Sequence, residues 1–135
     1  MSAVLVDSNI LLDLMTEDPR WFAWSARALA TTAENSRLVI NPVVYAEISI
    51  RYSKIEDLEA ALPAALIQRE PIPYEAAFLA GKAFHVYRER EGNKLSTLPD
   101  FFIGAHAAVA GYRLLTRDAA RYRTYFPGVP LIAPH

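Results

Sequence analysis

Four carboxylates in this sequence stand at junctions between elements. Asp7 ends the apolar run A-V-L-V that begins at residue 3, Glu47 lies within V-V-Y-A-E-I-S-I, Asp100 follows Leu98-Pro99, and Asp118 closes L-L-T-R-D. Cysteine is absent and the histidines, His85, His106 and His135, are scattered. Oxygen donors without thiolate or clustered imidazole make a hard site, suited to Mg²⁺ or Mn²⁺ rather than Zn²⁺. Such a site would hold a metal weakly until phosphate oxygens complete the coordination.

Each acid also has a plainer explanation. Asp is a preferred N-cap, so Asp7 can cap the helix that follows it. Asp100 stands three residues after Thr97, the spacing of a capping box. Glu47 is placed to pair with Arg51 at i+4, a contact worth only a few tenths of a kcal/mol. Four separate caps would explain the same residues, except that Glu47, one turn into an apolar helix, is not at a cap.

The elements that would bring these acids together follow from the pattern of apolar residues. Residues 3–6 show no polar alternation, which is how a strand covered on both faces reads. In open α/β sheets the crevice lies beyond the carboxyl ends of such strands, where Asp7 would be delivered. A short helix over residues 10–15 follows, then Asp18-Pro19 as cap and first residue of a helix reaching about Ala33. Trp21, Phe22 and Trp24 cannot share one helical face, so at least one is expected at the surface or in an interface. Residues 37–40 read as a second strand, and Asn41-Pro42 as another helix start. Two amphipathic helices are expected over residues 55–66 and 74–90, with a brief edge strand at 69–72 limited by Pro71 and Pro73. The helix after Asp100 is rich in Ala and Gly and able to lie close on a sheet, with His106 as a packed helix residue rather than a ligand. Strands over residues 112–116 and 129–132 complete an alternating pattern, which predicts one parallel sheet with helices on both faces.

Length and composition agree with one folded domain. The chain has 135 residues, 53% of them hydrophobic, with no repeat, low-complexity tract or flexible linker. The longest uncharged run, residues 101–112, is too short for a bilayer, and M-S-A-V lacks the basic start of a signal peptide, so neither export nor membrane insertion is expected. With a net charge of -1, polyanion binding would have to come from local clustering of cations.

D-S-N after the first strand, N-P-V-V-Y-A-E, L-P-D-F-F-I-G-A-H-A and L-L-T-R-D together resemble the PIN-domain family, in particular the VapC-type ribonuclease toxins of bacterial toxin–antitoxin pairs. The likeness covers nearly the whole chain. It implies a PIN-like three-layer α/β/α fold with a central parallel sheet of four to five strands, forming a single domain over residues 1–135. It also implies a metal-dependent endoribonuclease with Asp7, Glu47, Asp100 and Asp118 around one or two Mg²⁺ or Mn²⁺ ions. Asp7 and Asp100 would be the principal ligands, Glu47 a ligand or water-orienting base, and Asp118 an outer ligand. Asn9 and Thr116 match polar positions that support this cluster. Asn41 stands where the family more often has Ser or Thr, with the same capping role expected.

RNA phosphates would need cations to approach such an acidic cluster, and Arg117, Arg121, Lys94 and Arg88 are the candidates; ordinary surface charge is the alternative for each. The resemblance further implies a cytoplasmic homodimer and a cognate VapB-like antitoxin that occludes the site. Trp21, Phe22 and Trp24, with the apolar helix faces between residues 55 and 90, are the expected contact surfaces. Two rivals remain on sequence grounds. A HAD-type phosphotransfer enzyme wants a second Asp two residues after the first, where this chain has Asn9, and a receiver domain wants a late lysine, but none follows Lys94. A catalytically silent PIN-like binding module would normally lose carboxylates, and all four remain.

Overall fold

The computed structural model describes residues 2–91 and 98–135. In chain order the elements are β1 (Ser2–Val6), α1 (Ser8–Met15), α2 (Phe22–Ala33), β2 (Ser36–Ile40), α3 (Pro42–Ser49), α4 (Ile55–Ala61), β3 (Gln68–Arg69), α5 (Tyr74–Glu91), α6 (Leu98–Ala110), β4 (Arg113–Leu115), α7 (Ala120–Tyr125) and β5 (Leu131–Ile132). The strands form one sheet in the order β3-β2-β1-β4-β5, with every neighbouring pair parallel. The apolar run that opens the chain is therefore the central strand. Val4, Leu5 and Val6 are fully buried, as are Val39 and Ile40 beside them on β2 and Leu114 and Leu115 on β4.

Crossovers between parallel strands are right-handed, so direction of travel decides which face a helix covers. The chain moves outward from β1 to β3, laying α1 to α4 on one face, and then returns past β1, laying α5 to α7 on the other. The second face is closed by aromatic rings: Phe101 of α6 packs against Phe84 and Tyr87 of α5 and against Tyr125 and Phe126, with centroids 5.3–5.8 Å away.

Several boundaries differ from the sequence reading. Regular helix in α2 begins at Phe22 rather than Pro19, because residues 18–21 form a turn in which Asp18 accepts from the N–H groups of Arg20 and Trp21, both at 2.9 Å. The helix expected over residues 55–66 ends at Ala61, and Pro63, two residues on, cannot continue a helix. The strand expected at residues 69–72 is Gln68–Arg69 instead, two residues long and ended before Pro71. Phe22 is the exposed member of the aromatic trio, while Trp24 packs on the core and Trp21 meets it edge-on at 6.3 Å.

Two glycines set how α6 sits. Gly111, at φ +73, takes the left-handed conformation that stops the helix, and Tyr112 N–H closes onto Ala107 O at 2.9 Å. Gly104 faces the ring of Phe126 so closely that a Cβ there would lie 2.5 Å from Cδ2 and 2.6 Å from Cε2. Phe126 is itself buried and cannot swing away. Gly104→Ala is therefore expected to cost about 1–3 kcal/mol by overpacking. Thermal melts should show the loss, and the same change in a Phe126→Leu background should cost clearly less; equal costs would mean that the ring is not the obstacle.

Candidate functional site

The order β3-β2-β1-β4-β5 reverses between β1 and β4, and a crevice opens at such a switch point beyond the carboxyl ends of the strands. Asp7 follows β1 directly, and Thr116, Arg117 and Asp118 follow β4. The N–H of Asp7 donates to Leu115 O at 2.9 Å, which continues the ladder one residue past the strand and ties the two ends together.

Asp7 is almost wholly buried. Its Oδ1 accepts from Ser8 N–H at 2.7 Å, so the residue does cap α1, and it also lines the crevice. Capping does not keep the side chain out of the crevice. Its Oδ2 accepts from the hydroxyls of Thr116 and Tyr122, each at 2.9 Å. Burial pushes the Asp7 carboxyl up to about 6, the Asp100 charge nearby adds to this, and the bonds from Tyr122 and Thr116 oppose it.

Asp100 enters from the first turn of α6, and Asp118 from the loop after β4. With Asp7, Ser8, Asn9, Ala120, Arg121 and Tyr122 they line a cavity of about 220 Å³. Burial also raises the Asp100 carboxyl, countered by Arg121, whose Nη1 donates to Asp100 Oδ2 at 2.6 Å. Glu47 stands next to this cavity. It accepts from Ser8 Oγ at 2.8 Å, no Glu47–Arg51 ion pair forms among the described residues, and burial is the main cause of its raised pKa, with Asp100 adding to it. The four acids thus converge electrostatically: Asp7 responds to Asp100 and Glu47, and Asp100 to Asp118.

The donors fit a hard divalent cation chemically, being carboxylates whose charges already repel one another, with neutral hydroxyls beside them. As the side chains stand, no group of three or more potential ligands among the described residues is gathered tightly enough to hold a metal ion. Arg121 on Asp100 and the two hydroxyls on Asp7 take up oxygens that a cation would use. Binding therefore requires these side chains to rearrange.

Asn9 and Thr116 both adjoin Asp7. Asn9 Nδ2 donates to Thr116 Oγ1 at 3.1 Å, Asp118 N–H donates to the same oxygen at 3.1 Å, and that hydroxyl donates to Asp7. Asn41 caps α3 by accepting from Val43 and Val44 N–H, and its Nδ2 lies 3.1 Å from His106 Nδ1. His106 is a buried helix residue whose pKa is lowered by burial. The capping partner Thr97 and the candidate guide Lys94 lie outside the described residues. Of the remaining cations, Arg121 borders the cavity, whereas Arg88 is exposed on α5 over Phe84. Arg117 has a duty the sequence did not reveal: its Nε donates to both oxygens of buried Asp13, at 2.8 and 3.0 Å, and its guanidinium lies 5.5 Å from the Trp21 ring centre.

Three participants escaped the sequence reading. Ser8 holds Glu47, Tyr122 holds Asp7, and Asp13 holds the Arg117 loop while also accepting from Ser25 Oγ at 2.7 Å. Only Ser8 left a trace, as the middle residue of D-S-N. A larger groove of about 570 Å³, lined by residues such as Leu11, Met15, Leu29 and Leu66, contains no carboxylate and is remote from this chemistry.

The PIN domain family model matches residues 4–127. The sequence matches no curated protein. Among solved structures, the chain is similar to VapBC2 from Rickettsia felis, crystallised with a DNA fragment from its promoter, at 18% identity and a TM-score of 0.74 over 98% of this chain and 99% of that one. It is also similar to VapBC-1 from nontypeable Haemophilus influenzae, at 18% identity and a TM-score of 0.71 over 97% of each chain. A toxin–antitoxin complex from Klebsiella pneumoniae gives 23% identity and a TM-score of 0.65 over 98% of each. These likenesses establish the shared fold.

Proposed function

The chain belongs to the PIN-domain family, and from that premise we infer that it is a VapC-like toxin, an endoribonuclease that hydrolyses RNA phosphodiester bonds with Mg²⁺ or Mn²⁺ at Asp7, Glu47, Asp100 and Asp118. One observation carries this reading: Asp7, Asp100 and Asp118, from three distant parts of the chain, line one cavity at the switch point of a parallel sheet. When bound, a divalent ion supplies Lewis acidity, lowering the pKa of water and stabilising charge on the phosphate. Asp7 and Asp100 would hold the ion, with Asp118 completing its outer surroundings from the rim. Glu47, oriented by Ser8, would take the proton of the attacking water as the P–O bond breaks, a task suited to a carboxylate whose pKa is raised. Asn9 and Thr116 keep Asp7 in place, and Arg121 with Arg88 would draw in the RNA backbone.

The partner inferred for this toxin is a VapB-like antitoxin, supported by the VapBC complexes that share its fold. Half-exposed Phe22, its neighbours Trp21 and Trp24, and the apolar groove beside α2 are suited to such a contact. Exposed Tyr74, Phe78 and Val86 on α5, with Lys82 in the same row, offer a surface for a homodimer. Among the described residues no helix is long and apolar enough to cross a membrane, and a cytoplasmic location fits an RNA substrate.

An RNA-cleavage assay on partner-free protein tests the central claim. Cleavage is expected with Mg²⁺ or Mn²⁺ and not with chelator, and Asp100→Asn should lose at least about 100-fold in rate, the equivalent of a few kcal/mol of transition-state stabilisation. Activity indifferent to chelator would remove the metal from the mechanism. RNA binding without cleavage under any metal condition would favour a silent PIN-like module.

A further inference from the structure

A second cavity of about 240 Å³ adjoins the acidic one and shares Ala120 and Arg121 with it; its other walls are Tyr87, Glu91, Thr124 and Tyr125. The wall between the two is Arg121, whose guanidinium bonds Asp100 on one side and lies 5.3 Å from the centre of the Tyr87 ring. Outside the lining itself, the guanidinium of Arg90 lies 5.6 Å from the centre of the Tyr125 ring. Guanidinium groups held over aromatic rings, with aromatic edges between them, are what single-stranded nucleic acid uses for stacking. The pocket also carries hydrogen-bonding groups, the Thr124 hydroxyl and the Glu91 carboxylate, which accepts from Tyr125 OH at 3.3 Å. It suits the neutral, hydrogen-bonding edge of a base.

Resting on the nuclease reading above, we propose that this cavity is the subsite for the base of a nucleotide flanking the scissile phosphate. Arg121 bridges the two compartments. The phosphate lies on the acidic side, and the base sits among Tyr125, Thr124 and the outer face of the Arg121 guanidinium. None of the residues that form the base compartment, apart from the shared Ala120 and Arg121, belongs to the acidic cluster. Selection of the flanking nucleotide and chemistry at the phosphate are therefore separable functions.

The test combines single-stranded RNA oligonucleotides carrying one abasic nucleotide, placed in turn on either side of the cut, with the variant Thr124→Trp. Thr124 is exposed on α7, so its replacement by an indole fills the cavity from the surface. In the wild type, an abasic nucleotide at one flanking position should raise KM about ten-fold, the scale of one stacked base, with kcat little changed. In Thr124→Trp the intact substrate should already show the raised KM, and the abasic change should have no further effect. Mn²⁺ affinity, measured by titration, should be equal in the two proteins. Cleavage by both proteins with the same abasic penalty would overturn the subsite and leave the nuclease standing. No cleavage of any oligonucleotide by the wild type would overturn both.

Discussion

Asp7→Asn is expected to reduce RNA cleavage by at least about 100-fold and, in metal-free protein, to stabilise the fold relative to wild type more at pH 7 than at pH 4. The pH dependence follows from the direction of the pKa shift. Asp7 is raised from 3.8 to about 6 by burial and by Asp100, so the folded protein holds this proton more tightly than the unfolded chain does. Stability from this group is then fully present below about pH 4, falls as pH rises toward 6, and levels off above it. At 1.36 kcal/mol per unit the loss is on the order of 3 kcal/mol. Asparagine has no such titration. Its amide also places a donor opposite Ser8 N–H or opposite the hydroxyls of Thr116 and Tyr122, which offsets part of the gain by an amount that does not vary with pH. The quantity to measure is the difference in Tm between variant and wild type in chelator, which should grow by several degrees between pH 4 and 6.5. A constant difference would mean that Asp7 is not held as a strained carboxylate. His106 titrates the other way, its lowered pKa making stability rise with pH, but it is common to both proteins and cancels in the difference.

Removing the partner of Asp13 should be the most damaging single change outside the apolar core. Arg117→Ala leaves a carboxylate that is 2% exposed and, among the described residues, keeps the hydrogen bond from Ser25 Oγ. Breaking one side of a buried pair costs roughly 3–5 kcal/mol, and the lower end applies because the Arg117 side chain is itself 29% exposed. Urea unfolding should show a clearly lower midpoint with an unchanged slope. Asp13→Leu combined with Arg117→Ala should recover much of the loss, since a buried pair replaced by apolar groups is often neutral. A double variant as unstable as Arg117→Ala would show that the unpaired charge is not the cause. The consequence reaches the site, because Arg117 lies between Thr116 and Asp118 and its N–H donates to Asn9 Oδ1 at 3.3 Å. The ion pair fastens the loop that carries one of the four acids to α1.

The same loop shows where local sequence signals end. Asn41-Pro42 could be read as a helix start because cap and helix are neighbours in the chain, and the structure repeats the reading in detail. Glu47 could be singled out because a carboxylate on an apolar helix needs a reason, although the reason, Ser8, lies 39 residues away. Tyr122 sits in A-R-Y-R-T-Y, where nothing distinguishes it from a solvated aromatic, and its hydrogen bond to Asp7 spans 115 residues. Arg117 looked like a free surface cation for the same reason: its partner Asp13 is 104 residues distant.

By itself the sequence determined the parallel sheet, the central place of its first strand, and Asp7, Asp100 and Asp118 near element ends, because burial on both faces and the chemistry of caps leave their marks within a few neighbouring residues. The tertiary structure alone decided which hydroxyls hold Asp7, that Arg121 lies on Asp100, and that Arg117 is tied to Asp13. Those choices are made by strand order, since the reversal between β1 and β4 brings together side chains whose separation along the chain carries no periodic signal.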